Sequence, residues 1–426
     1  MKNIADFGAI PDGVALNTLS IQRCIDECAA EGGGTVFFPP GLWRSGALSL
    51  CSNLTLEIGP GATLLGSRTM ADYPLIEARW EGKTQTTHMP LLYGKNLQQV
   101  RICGQGTING DGSAWWEAFR NKTLAYPRPR LIGIEDSSAI YLEQVTLENS
   151  PAWTVNPVRC ENVHISHLTI RNPDNSPNTD GINPDSCRNV FISDCLVSVG
   201  DDCITLKSGT ELEHDDYHAP LSGVVITNCI LERGHGGIVI GSEMSGGVHD
   251  VVVSNCIMRG TDRGIRIKTR RGRGGSVERI CIQNIAMYDV GCPFTINMYY
   301  HCNGGRGVAR VADKQPLPVL ADTPQIRDIR IRSVFVKKAR YAAGFFYGLP
   351  EMPIQGLSLS DIQVEMDPDW TEPGEVEMAD DLPYMARAGF YLRNVKNLHL
   401  HDMEGLHIAG ALLDSDDSVT YFKAPD

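Results

Sequence analysis

The 426-residue chain is poor in aromatic residues, which make up only 7% of it. It has no apolar run approaching the roughly 20 residues that a membrane-crossing helix needs. It also lacks a Pro/Ser-rich linker or low-complexity tract, so nothing marks a domain boundary and a single domain over 1–426 is expected. No CxxC pair occurs among the 13 scattered cysteines. That excludes the common zinc ribbons and fingers and leaves reduced thiols acting as small buried hydrophobes. The opening Met1-Lys2-Asn3-Ile4-Ala5-Asp6-Phe7-Gly8 shows no apolar core of a secretory leader. A cytoplasmic location is therefore expected, with secretion the alternative if a leader has been removed. Positive charge is scarce too. The formal net charge of -13 argues against nucleic-acid or membrane-surface binding as the chain's general business. Glycine is plentiful at 43 residues, which suits an all-β protein with many tight turns.

A phrase of the form apolar-x-apolar-x-x-apolar recurs along the chain. It is seen in Ile140–Val145, Val163–Leu168, Val190–Cys195, Val224–Cys229, Val251–Cys256, Ile280–Ile285, Ile329–Val334, Leu357–Ile362 and Leu398–Met403. The steps between copies lie mostly in the twenties to mid-thirties, the range of solenoids and propellers. Period-2 alternation within each copy makes the elements strands. The copies have neither helix-length amphipathic runs nor the four strands of a propeller blade. Stacked coils of short parallel strands remain: an all-β, right-handed parallel β-helix. Cys195, Cys229 and Cys256 share one phase, which predicts an inward ladder. The best helix lies at Thr18 to Glu31, with Leu19, Ile21, Ile25 and Cys28 apolar and Gly32-Gly33-Gly34 as its stop. It is expected to cap the open N-terminal end. Strands are expected at Thr35–Phe38 and Leu54–Ile58. The segments Asp72–Met89, Gly110–Arg130 and Asp367–Met385 are expected to be irregular loops walling a groove.

Against the acidic background, Arg263 to Arg273 carries six positive charges and no acid. Upstream lie Asn178-Thr179-Asp180, Gly200-Asp201-Asp202 and Gly234-His235-Gly236. Aligning coils by repeat phase sets Asn178–Asn183, Gly200–Lys207, Gly234–Gly241 and Arg263–Thr269 side by side. Glycoside hydrolysis needs one carboxylic acid to protonate the leaving oxygen and a second carboxylate to act as nucleophile or activate water. Asp180, Asp201 and Asp202 supply three. Closely spaced carboxylates resist joint ionisation, so one of such a set tends to keep its proton. Consecutive residues of a regular strand face opposite ways, so Asp201 and Asp202 can serve one site only if the chain bends there, and Gly200 permits that. Each motif alone also fits a turn-forming Asp; their shared phase favours a common site. His235, between small neighbours, can hydrogen-bond an acid. Arg266 and Lys268 share one face of a strand, with Ile265 and Ile267 inward. Arg can fork onto a sugar carboxylate, and Lys can add a point charge. The nearby Asp262 cannot balance six cations, so the strip is expected to face an anionic ligand. Arg270, Arg271 and Arg273 fit an extension of the groove and a structural loop equally well.

These motifs, in this order and spacing, resemble those of the polygalacturonases, family 28 of the glycoside hydrolases. The likeness extends to Asp6-Phe7-Gly8-Ala9, Asp12-Gly13, Asn17-Thr18 and Gln22 near the start. The resemblance implies a parallel β-helix and an inverting hydrolase of α-1,4-galacturonosidic bonds that uses no metal or cofactor. It implies Asp201 as general acid, Asp180 and Asp202 as activators of water, and His235 as support for the acid. Asn178, Arg266, Lys268, Arg271 and a Tyr of the next coil would bind a galacturonate-containing oligosaccharide. Aligning Ile296 with Ile267 makes that residue Tyr300, with Tyr299 as competitor. The Arg270 to Gly275 run looks like bacterial exo-acting members. Rhamnogalacturonan hydrolysis is the near alternative. A non-catalytic carbohydrate-binding β-helix and a calcium-dependent pectate lyase are the alternatives from other classes.

Overall fold

The structure, a computed structural model, describes residues 1–211, 218–301 and 304–422. It forms two compact units, Met1–Asp202 and Cys203–Asp426. Both are built from short parallel strands stacked coil on coil, the right-handed parallel β-helix that the repeat predicts.

In the first unit, Val36, Leu56, Ile102, Leu142, Ile165 and Ile192 stand in register on successive strands. Each is at most 2% exposed. Such a ladder repeats the same apolar burial at each coil, about 1.5–3 kcal/mol per side chain. On the opposite face of these strands, Tyr141, His164 and Phe191 stack with ring centroids 5.0 and 4.8 Å apart. The helix Thr18–Ala30 buries Ile21, Cys24, Ile25 and Cys28. Leu19, expected on that face, is 81% exposed. The Gly33 N–H closes the helix by donating to the Cys28 carbonyl. Strands at Gly34–Phe38 and Leu54–Ile58 follow as expected.

Two of the expected loops carry structure. Leu75–Trp80 and Lys83–His88 form an antiparallel hairpin, turned by Glu81 and Gly82, both at positive φ. Ser113–Arg120 is a helix whose Trp115 and Trp116 are buried.

In the second unit, Val251, Ile280, Ile329 and Leu357 continue the inward pattern. A second sheet stacks Gly236–Gly241, Arg263–Lys268, Cys292–Asn297, Ala342–Tyr347, Ala388–Arg393 and Leu413–Ser415 in parallel. The segment expected as a third loop, Asp367–Met385, holds only a two-residue strand pair, Gly374–Glu375 with Tyr384–Met385.

The fifth position of every repeat phrase explains its broken alternation. Gln144, His167, Asp194, Asn228, Asn255, Asn284, Ser333, Asp361 and Asp402 all have φ between 49 and 61°. The chain turns there in the left-handed region, which Asn and Asp tolerate best among non-glycine residues. Beside these turns Cys195, Cys229 and Cys256 are each at most 2% exposed. Their thiols donate to the carbonyls of Ser193, Thr227 and Ser254, one bond repeated. The described cysteines are all free thiols.

Candidate active site

The first unit brings Asp180, Asp201 and Asp202 together. One carboxylate oxygen from each lies within 4.8 Å of the others. Asp180 and Asp202 are 3% and 1% exposed, and Asp201 is half-buried. The approach depends on Gly200. A Cβ there would lie 2.5 Å from the Ser176 carbonyl oxygen and 2.6 Å from that of Pro173. Only glycine fits so close to another backbone. The chain bends at Gly200 and Asp201 before the strand Asp202–Leu206 begins, so the adjacent aspartates escape strict alternation. The Asp202 N–H donates to Asp201 Oδ1 at 2.9 Å. Gly181 N–H donates to the Asp202 carbonyl at 3.0 Å, fastening the two Asp segments to each other. Asn183, fully buried, donates Nδ2 to Asp180 Oδ2 at 2.9 Å. Among the described residues this is the cluster that could ligate a hard divalent cation; three carboxylates at this spacing could equally serve as the acid and base of a hydrolase.

Asn178 precedes this cluster at φ 52°. Its Oδ1 accepts from Arg128 Nη2 at 2.7 Å. Arg128 lies inside the segment Gly110–Arg130 expected to wall the groove, where no local motif marks it as a site residue. It is 1% exposed, with its guanidinium 3.9 Å above the Phe119 ring.

In the second unit, His235 is exposed on the bend between Ile230–Glu232 and Gly236–Gly241. Arg266 and Lys268 are 2% and 6% exposed. Ile267 aligns with Ile296, as expected. Of the two competing tyrosines, Tyr300 packs near the pair, its ring centroid 5.5 Å from the Arg266 guanidinium and 5.2 Å from Lys268 Nζ. Tyr299 instead takes Lys314 Nζ at 3.7 Å and Tyr347 at 4.7 Å.

The expectation that no acids balance the basic strip is overturned. The partners come from far along the chain. Arg266 donates Nε and Nη2 to the two carboxylate oxygens of Glu377 at 2.8 and 3.0 Å. Glu377 also accepts from Thr295 at 2.9 Å and is fully buried. Arg271 forks onto Glu351 at 2.6 and 2.9 Å and donates to the Arg310 and Asp313 carbonyls. At 2% exposure, Arg271 pins its loop to neighbouring segments. Arg270 and Arg273 share Glu211. Arg263 donates to the Val376 and Glu375 carbonyls. Glu377 could have been found only by knowing that segment 374–385 returns to this strand.

A second buried pair joins Lys207 to Glu243 at 2.5 Å. Burial pushes the Glu243 pKa up, but the charges of Lys207, Arg273 and Lys268 outweigh it and hold the group at about 2. Glu377 is likewise at about 2. There burial is outweighed by the Arg266 and Arg263 charges and by hydrogen bonds from Arg266 and Thr295.

Residues 45–339 match the family described as Glycosyl hydrolases family 28. A probable polygalacturonase of Vitis vinifera is 35% identical over 374 residues, covering 85% of this chain and 74% of its own. An exo-poly-alpha-D-galacturonosidase of Dickeya chrysanthemi is 28% identical, covering 67% of this chain and 54% of its own. The crystal structure of a hyperthermoactive exopolygalacturonase from Thermotoga maritima superposes with a TM-score of 0.78 at 26% identity, over 94% of this chain and 91% of that one.

Proposed function

The chain belongs to family 28 of the glycosyl hydrolases, and on that premise we propose that it hydrolyses α-1,4-galacturonosidic bonds in oligogalacturonides, releasing sugar from a chain end. The observation that carries this reading is the cluster of Asp180, Asp201 and Asp202 within 4.8 Å, on a bend that only Gly200 allows. Asp201, the most exposed of the three, is assigned as general acid. Asp180 and Asp202 are assigned to activate water, and His235 to support the acid. Lys268 and Arg266 are assigned to the sugar carboxylates, with Asn178 and Tyr300 as further contacts. Arg271, committed to Glu351, is assigned a structural part in the same loop.

The assigned outcome is inversion. Close carboxylates by themselves also suit a double displacement with retention, since inverting pairs usually stand about 6.5–9.5 Å apart. The anomer first formed separates the two. Relatives named as exo-acting support release from a chain end, and a cytoplasmic enzyme would meet short oligomers. Cell fractionation tests that location. Viscometry with a reducing-end assay on pectate tests the mode of action. Slow loss of viscosity for each end released, with galacturonate or one short oligomer as first product, is the expected result. A fast drop with mixed mid-sized products would mean an open, endo-acting cleft.

A further inference from the structure

Arg128 is a buried cation, and every donor of a buried guanidinium left without a partner is costly. Its Nη1 donates to the carbonyls of Pro151 and Pro177 at 2.9 and 2.6 Å, and its Nη2 to Asn178 Oδ1. Burial lowers its pKa to about 10, and the carboxylates of Glu81, Asp180 and Asp201 act against that fall. It is therefore a cation at neutral pH, within the field of the Asp cluster.

Arginine has only donors. It can accept nothing from an amide, so it decides which way the Asn178 side chain is turned. The oxygen must face Arg128, and both N–H bonds must lie on the other fork of the amide. The bond to the Pro177 carbonyl fastens Arg128 to the residue just before Asn178, so guanidinium and amide are held as one unit. Asn178 stands two residues ahead of Asp180.

We propose that Arg128 is a positioning residue for the hydrolysis proposed above, on which this inference rests. It acts through Asn178, keeping that amide's donor edge available to the bound sugar. Lysine in its place could reach one acceptor but could not span three in fixed directions.

A double-mutant cycle on trigalacturonate tests this, with Arg128→Lys, Asn178→Ala and the pair assayed well below each variant's Tm. Each single change should lower kcat/KM about 10- to 100-fold, the scale of a charge-assisted hydrogen bond. The double variant should be no more than about 2-fold worse than Asn178→Ala alone. Asn178→Asp supplies a check that does not depend on how Arg128→Lys folds. It keeps an acceptor for Arg128 but has no donor edge, so Tm should hold while kcat/KM falls at least about 10-fold. Independent losses in the double variant, or near-normal turnover by Asn178→Asp, would overturn the inference while leaving the hydrolase reading intact. No turnover by the unaltered protein would overturn both.

Discussion

Glu377 holds Arg266 by both edges of its carboxylate, at 2.8 and 3.0 Å, although the two residues are 111 positions apart. The pair is buried on both sides, at 0% and 2% exposure. Removing one member of a buried ion pair typically costs about 3–5 kcal/mol, because the other charge is left without compensation.

The depressed pKa values of Glu377 and Glu243 turn this into a pH prediction. A carboxylate whose folded pKa lies below its unfolded value adds stability above that unfolded value and loses it as pH falls through the folded one. For these two groups the window runs from the ordinary 4.5 down to about 2. Tm should therefore fall steadily across that window. Glu377→Gln should melt lower at neutral pH and show a shallower fall in acid. Melting curves recorded at stepped pH that run parallel for the two proteins would contradict the assignment.

With Arg266 held by an internal carboxylate, Lys268 is expected to carry much of the discrimination for sugar carboxylates. Lys268→Ala should raise KM for oligogalacturonides about 10- to 100-fold, the scale of one charged hydrogen bond. It should also narrow the preference for free over methyl-esterified substrate. Equal rates on esterified and free substrate by the unaltered protein would remove the carboxylate-recognition role.

The Asp180, Asp201 and Asp202 cluster could ligate a cation, so a chelator separates two chemistries. Acid–base hydrolysis by these carboxylates should proceed at an unchanged rate in EDTA. Loss of activity restored by added calcium, with unsaturated products, would indicate elimination instead.

The repeat was legible because inward Val, Ile and Leu positions must recur at each coil. The helix Thr18–Ala30 was legible from its spacing and its Gly stop. The left-handed turns were written there too, in the Asn or Asp at six of the nine fifth positions, but they show as turns only once the strands on either side are placed. The hairpin Leu75–His88 was harder to see, because Lys83–His88 is a polar strand, KTQTTH, with no apolar alternation to announce it. In the candidate site, Gly200 and the paired aspartates were readable through the repeat phase they share with Asp180, since alone they fit an ordinary turn. The two ion pairs and the hydrogen bond that hold the buried arginines were not. Arg266 with Glu377, Arg271 with Glu351 and Arg128 with Asn178 join residues about 50 to 111 positions apart, and no local pattern encodes which buried cation meets which acceptor. The strip therefore read as unbalanced when its acids were supplied by distant segments.

The most direct measurement follows trigalacturonate by NMR and mass spectrometry with the unaltered protein and with Asp180→Asn, Asp201→Asn and Asp202→Asn. The unaltered protein should release saturated galacturonate, with the inverted anomer appearing first. Each Asn variant should fold normally and turn over at least about 100-fold more slowly, the scale of lost acid–base catalysis. Near-normal turnover by Asp201→Asn, or no cleavage of any galacturonide by the unaltered protein, would contradict the account.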